Sequence, residues 1–182
     1  MNIFYLHNDP KTCAEMHVDK HCVKMILEYA QLLSTAHRVL DGTLSVGRSA
    51  SGRKKTSYVL MDQRESVLYS ATHINHPSAI WVRQSDANYV WLYRMFGALM
   101  EEYTYRYGKV HACERLADAL SYRPKNIPKG SFTEPTPAMP ENYKVSGDSI
   151  QSYKNYYLGD KTRMFSWKNR NQPNWTLNTS VA

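Results

Sequence analysis

His21, Lys24 and Glu28 are spaced three and four residues apart, with Lys20 next to the first of them. On an α-helix of about 3.6 residues per turn the three share one narrow line, and Lys20 lies on its shoulder. A carboxylate held among cations can stabilise an oxocarbenium-like sugar, and a nearby amine can attack C1′ of a nucleoside. The same line continues through His17, Gln31 and Thr35, with Arg38 on its shoulder. His17 and His21, at i and i+4, are also spaced to ligate one metal, with His37, His73 or His76 as a third ligand. Val18 stands where the glutamate of an HExxH motif belongs, however, and Lys20 and Lys24 would repel a cation. We expect neither metal nor cofactor. The plain alternative for the whole line is a solvated face of neighbouring charges.

A second polar group lies at Thr72-His73-Ile74-Asn75-His76-Pro77-Ser78. Pro77 disfavours helix at His76, and Ser78 can cap a helix beginning there. The turn therefore presents two histidines and an asparagine at a helix N-terminus, where free N–H groups suit an anion. The alternative is that these side chains satisfy only the turn's own backbone.

The element that must position the first group is a helix running from Asp9-Pro10, a cap and first residue, to the Asp41-Gly42 stop, with a candidate break near Glu15 to His17. Apart from its polar line it is mostly apolar, so neighbours must enclose it. Met1 to Leu6 is too short for a helix. It reads as an extended segment, anchored by Ile3, Phe4 and Leu6, that delivers the chain's α-amine toward the body. Residues 42–58 carry Arg48, Arg53, Lys54 and Lys55 among glycines and serines with no acid. This reads as a flexible basic loop suited to phosphates.

A short helix is expected within 59–70. A longer helical region follows over 78–108, broken near Ser85-Asp86, and another spans 109–122. Arg94 and Glu101 on the second of these are spaced for a structural ion pair. Residues 123–146 hold five of the eight prolines and form an irregular connection rather than a domain boundary. The tail, 147–182, begins with a helix at 148–158. From Tyr143 onward six basic residues face two acids, and Tyr153, Lys154, Tyr156, Tyr157, Lys161, Arg163, Lys168 and Arg170 interleave charge with rings. That pattern suits the gripping of a nucleic-acid strand.

The totals agree with one mainly α, single-domain fold around the long N-terminal helix, with long irregular loops. No run approaches the roughly 20 apolar residues of a membrane span, and three cysteines without a CxxC pair suit a reducing cytoplasm. A net charge of +7 with 14 tyrosines and 4 tryptophans makes DNA the expected partner.

Several stretches resemble the pyrimidine-dimer DNA glycosylase and AP lyase family of the endonuclease V type, and the whole sequence also resembles phage-encoded proteins. The stretches are the opening Met-Asn-Ile-Phe-Tyr-Leu-His-Asn-Asp-Pro, the helix with Lys20-His21 and Glu28, and Asn75-His76-Pro77. Glu102-Tyr103-Thr104-Tyr105-Arg106-Tyr107-Gly108 and Tyr153-Lys154-Asn155-Tyr156-Tyr157-Leu158-Gly159 complete the set. The resemblance implies a compact helical fold, the N-terminal α-amine as nucleophile, Glu28 as catalytic carboxylate, His21 beside it and the Tyr-Lys cluster on DNA. Two departures stand out. Asn2 leaves Met1 in place where family members expose a new amine after a small second residue, and Leu27 and Gln31 stand where arginines flank the glutamate.

The leading expectation is N-glycosidic cleavage at a damaged or modified base, with a Schiff-base lyase step. Glu28 holds the sugar cation, Met1 or Lys24 attacks, and His21 and His76 orient base or phosphate. Lys20, Arg53, Lys54, Lys55, His73 and the basic tail contact DNA. A non-catalytic nucleic-acid-binding protein and a histidine-based metal hydrolase are the alternatives.

Overall fold

Ile3, Phe4, Tyr5 and Leu6 are all buried, so the chain begins by threading its N-terminal segment through the core. This stretch belongs to no sheet, yet a buried backbone must have its polar groups satisfied. Side chains supply the partners. Phe4 N donates to the Tyr29 hydroxyl, Leu6 N to Cys13 Sγ, and that thiol donates back to Phe4 O. The computed structural model describes residues 1–177, the side chain of Lys55 excepted.

The candidate break near Glu15 to His17 divides the expected long helix in two. Helix α1 spans Pro10–Met16, capped by Asp9, and α2 spans Asp19–Asp41. His17 turns extended between them, with ψ at 131°. Arg106 holds the break together: its guanidinium donates to Glu15 O, His17 O and Asp19 Oδ1, taking up carbonyls that the end of α1 leaves unpaired. Every residue of α2 from Leu32 to Arg38 is buried, which the apolar circumference of this helix requires.

From the end of α2 the chain makes an antiparallel hairpin, β1 (Thr43–Arg48) and β2 (Lys54–Val59), where a loop was expected. Residues 60–72 then cross back beside α2 and include α3 (Arg64–Val67). Arg38, buried at 4% exposure, fixes this crossing by donating to the carbonyls of Tyr58, Glu65, Leu68 and Tyr69 and to Glu65 Oε2. Helices α4 (Pro77–Val82) and α5 (Asp86–Tyr107) come next, the latter capped by Ser85 and ended by left-handed Gly108. Helix α5 packs against both α1 and α2.

Where one helix was expected over 109–122, a 3-10 turn at Ala112–Leu116 runs into α6 (Ala117–Ser121). The proline-rich connection is irregular, as its composition requires. Helix side chains tie it down: Asp41 accepts from the amides of Lys125 and Asn126, Asp86 from Gly130, and Asn88 from Thr133. Helix α7 (Ser149–Tyr156) passes into a wider turn at Tyr157–Lys161. The fold is mainly helical, with one two-stranded sheet among the described residues. Among the described residues no helix is long and apolar enough to cross a membrane.

Candidate active site at the chain N-terminus

The buried N-terminal segment ends at the side of α2, one turn beyond Lys24. There the α-amine of Met1 lies 3.5 Å from Glu28 Oε2, with side-chain exposures of 3% for Met1 and 12% for Glu28. The amide of Asn2 donates to the same oxygen at 3.1 Å, and Lys24 Nζ approaches Oε1 at 3.3 Å. The carboxylate thus sits among one backbone donor and two amines. Lys24 is 72% exposed, whereas Met1 is half-buried with its side chain packed away.

Asn2 explains why the terminus does not fray. Its side chain donates from Nδ2 to Ala138 O at 2.8 Å, and its Oδ1 accepts from the Tyr153 hydroxyl at 2.7 Å and from Ile3 N at 2.8 Å. Tyr153 is fully buried and also reaches Thr136 O. Residues from the proline-rich connection and α7 therefore clamp the second residue of the chain. In the sequence Asn2 stands out only as the residue that leaves Met1 in place, because nothing in its spacing signals a partner 151 positions away.

The turn at residues 72–76 is brought to the same place by α2 itself. Thr35, seven residues beyond Glu28 on the same face, exchanges hydrogen bonds with the amide and carbonyl of Thr72. His73 adopts a left-handed conformation (φ 49°), which closes the turn through His76 N to His73 O at 2.8 Å. A left-handed residue other than glycine costs about 1–2 kcal/mol, and such conformations cluster at functional sites. His76 caps α4: its Nδ1 accepts from Ser78 N at 3.1 Å, so the neutral ring carries its proton on Nε2. Partial burial lowers its pKa, the Met1 ammonium and His73 push the same way, and Glu28 opposes them. His76 thus feels both members of the Met1–Glu28 pair and favours a neutral N–H donor.

The rest of the predicted line divides. His17 lies outside α2 and is buried, its Nδ1 donating to Cys13 O and its Nε2 accepting from Tyr29. Burial holds its pKa down at about 4. His21 is on α2 but stacks on Phe4 and takes Tyr157 as hydrogen-bond partner at 2.7 Å. Burial, with His17 next, holds it at about 3. Both rings of the proposed metal pair have other partners, and among the described residues no group of three histidines, cysteines or acids could hold a metal ion. Lys20 is exposed at the N-terminal end of the line.

The aromatic tail is largely inward. Tyr153 and Tyr157 are fully buried core residues, so neither offers a ring to a strand. Lys161 lies over Tyr156 and donates to its hydroxyl, Lys154 lies over Trp175 and Lys168 over Tyr107. Arg170 stacks on Tyr105 and pairs with Glu102 and Glu15. Glu102 in turn binds Arg106 at 2.6 Å, so the structural ion pair forms here, with Arg94 and Glu101 facing outward. The i, i+4 spacing of Glu102 and Arg106 is the sequence signal for it. Arg163 is exposed, as are Arg53 and Lys54 on the hairpin; the side chain of Lys55 lies outside the described residues.

A concavity of about 550 Å³, lined by Arg64, Tyr122, Arg123 and Lys125 among others, adjoins the far end of α2. Its walls do not include Met1 or Glu28. Compared with protein-family models, curated proteins and solved structures, the chain matches none.

Proposed function

We propose that this protein is a DNA-base-processing enzyme that cleaves an N-glycosidic bond and forms a Schiff base through the α-amine of Met1. The observation that carries the reading is the Met1–Glu28 approach at 3.5 Å, held by side chains from distant parts of the chain. The resemblance to the pyrimidine-dimer glycosylases assigns the same two groups to the reaction.

In the proposed chemistry the unprotonated amine donates its lone pair to C1′ as the C1′–N bond breaks, and the base departs with the bonding electrons and takes a proton from water. Glu28 stabilises the positive charge on the sugar and accepts the proton lost by the attacking nitrogen. The O4′–C1′ bond then opens, O4′ gains a proton, and the amine and C1′ share an iminium. Loss of a C2′ proton expels the 3′ phosphate and breaks the strand. His76, as a neutral donor, suits the orientation of base or phosphate, and a base must leave the stack to reach such a site. Lys24 serves as the exposed cation beside Glu28, in place of the arginines expected there.

Borohydride reduction on duplex DNA with an abasic site tests the reading. A covalent protein–DNA adduct is expected. Tight binding without an adduct would instead favour a non-catalytic nucleic-acid-binding protein.

A further inference from the structure

The β1–β2 hairpin stands apart from the site. No acidic residue occurs from Gly42 to Met61, while Arg48, Arg53, Lys54 and Lys55 cluster toward its tip. The register pairs Leu44 with Tyr58, Val46 with Thr56 and Arg48 with Lys54. Directly paired residues of an antiparallel ladder point to the same face. One face therefore carries half-buried Tyr58 at its base beside Leu44, Val46 and Thr56 in the middle, and Arg48 and Lys54 at the end. Leu44 and Val46 are 56% and 60% exposed, so the protein's own core does not cover this face.

The arm is built to hold its shape. At its base Arg38 donates to Tyr58 O, Gly42 N donates back to Arg38 O, and a side chain at Gly42 would collide with that carbonyl. At its tip Ser49 N donates to Arg53 O, Gly52 N to Ser49 O, and Arg48 to Gly52 O. A two-stranded ribbon fits the roughly 12 Å major groove of B-DNA, where apolar side chains meet thymine methyls and basic ones meet the flanking phosphates. From Glu28 to the end of α2 is about 20 Å, and a six-residue strand adds about 20 Å. The tip thus lies no further than about 40 Å from the carboxylate, on the order of one turn of duplex.

We propose that the β1–β2 ribbon is a groove arm that enters the major groove of duplex DNA through its Leu44, Val46, Arg48 and Lys54 face, within about one helical turn of the nucleotide held at Met1 and Glu28. This rests on the reading of DNA as substrate. Charge complementarity selects DNA over a second copy of the chain, since two such tips would repel each other.

The test measures binding of the whole protein to a 30-base-pair duplex with a central tetrahydrofuran site across a salt series, alongside borohydride trapping on abasic DNA. Arg53→Ala with Lys54→Ala is expected to shrink the slope of log K against log salt by about 2, because each phosphate contact contributes about 0.9. Leu44→Ser with Val46→Ser is expected to weaken binding several-fold with the slope unchanged. Both variants should shorten the nuclease footprint on one side only and still form the adduct at saturating protein. An unchanged slope and footprint in the charge variant overturns the groove arm even if trapping is normal. So does a dimer that the Leu44→Ser, Val46→Ser variant dissociates without loss of DNA affinity. A wild type that binds DNA with the ribbon-dependent slope but never traps would leave the arm standing and remove the glycosidic reading.

Discussion

The α-amine of Met1 and the side chain of Glu28 meet at 3.5 Å, and the amide of Asn2 reaches the same carboxylate oxygen at 3.1 Å. One oxygen therefore receives the first two nitrogens of the chain. The contact orients the amine and places beside it the group that could accept its proton. A half-buried carboxylate with three donors around it is also costly to leave unpaired, which ties the position of the N-terminal segment to α2.

Replacing Glu28 by glutamine keeps the size of the side chain and removes its charge. Glycosidic cleavage and adduct formation are expected to fall by about 100-fold or more. Affinity for a duplex with an uncleavable abasic analogue should stay within a few-fold of wild type. A variant that cleaves at the normal rate would take Glu28 out of the mechanism.

Tyr153→Phe deletes only the hydroxyl that donates to Asn2 Oδ1. Because small misplacements of a reacting group can cost on the order of 100-fold in rate, adduct formation should slow by about 10-fold or more while DNA affinity is retained. Equal rates of trapping for variant and wild type would show that this clamp does not position the amine.

Three buried histidines set an acid limit on stability. Burial holds His17 at about 4, His21 at about 3 and His37 at about 4; His17 deepens the effect for His21, and the Arg64 guanidinium does so for His37. The unfolded chain takes up protons near pH 6.5 that the folded chain refuses, so stability present above that pH is lost as the pH falls toward 4. The loss is up to about 1.4 kcal/mol per pH unit for each histidine. Urea midpoints should drop between pH 7.5 and pH 5.0, and a midpoint that is level or rises would contradict the neutral assignments.

Arg106 is fully buried against Glu102 and also serves Asp19 and two carbonyls at the α1–α2 break. Arg106→Met should destabilise the fold by about 3 kcal/mol, because it removes one of the two guanidinium partners of buried Glu102 and the donor to the carbonyls of Glu15 and His17. Chemical denaturation measures this directly, and a loss below about 1 kcal/mol would mean that the network contributes little beyond an exposed pair.

The helical content and the enclosure of α2 were legible because an apolar period survives over many turns. So was the delivery of the α-amine by the buried segment from Ile3 to Leu6. The hairpin was not legible: every residue of β1 is exposed, so no core imposes alternation on it, and Gly47 with its neighbouring serines reads as loop. The tail misled for a different reason. Interleaved rings and cations look alike whether the rings face a strand or a core, and only the packing against Phe4 and Asn2 places Tyr153 and Tyr157 inside. The polar line runs along α2 from His21 onward, with His17 left in the break before it, and its uses depend on partners far away in sequence: Tyr157 for His21, Met1 for Glu28 and Thr72 for Thr35. Spacing shows which side chains share a face and leaves open what arrives to meet it.

The central claim is that the chain's own α-amine is the nucleophile. Reducing the protein with borohydride on abasic duplex DNA, digesting the adduct and locating the modified peptide by mass spectrometry tests it most directly. The expected result is a single adduct on the nitrogen of Met1, retained in Lys24→Ala and lost when the N-terminus is acetylated. An adduct on Lys24, or one that survives acetylation of the N-terminus, would contradict the account.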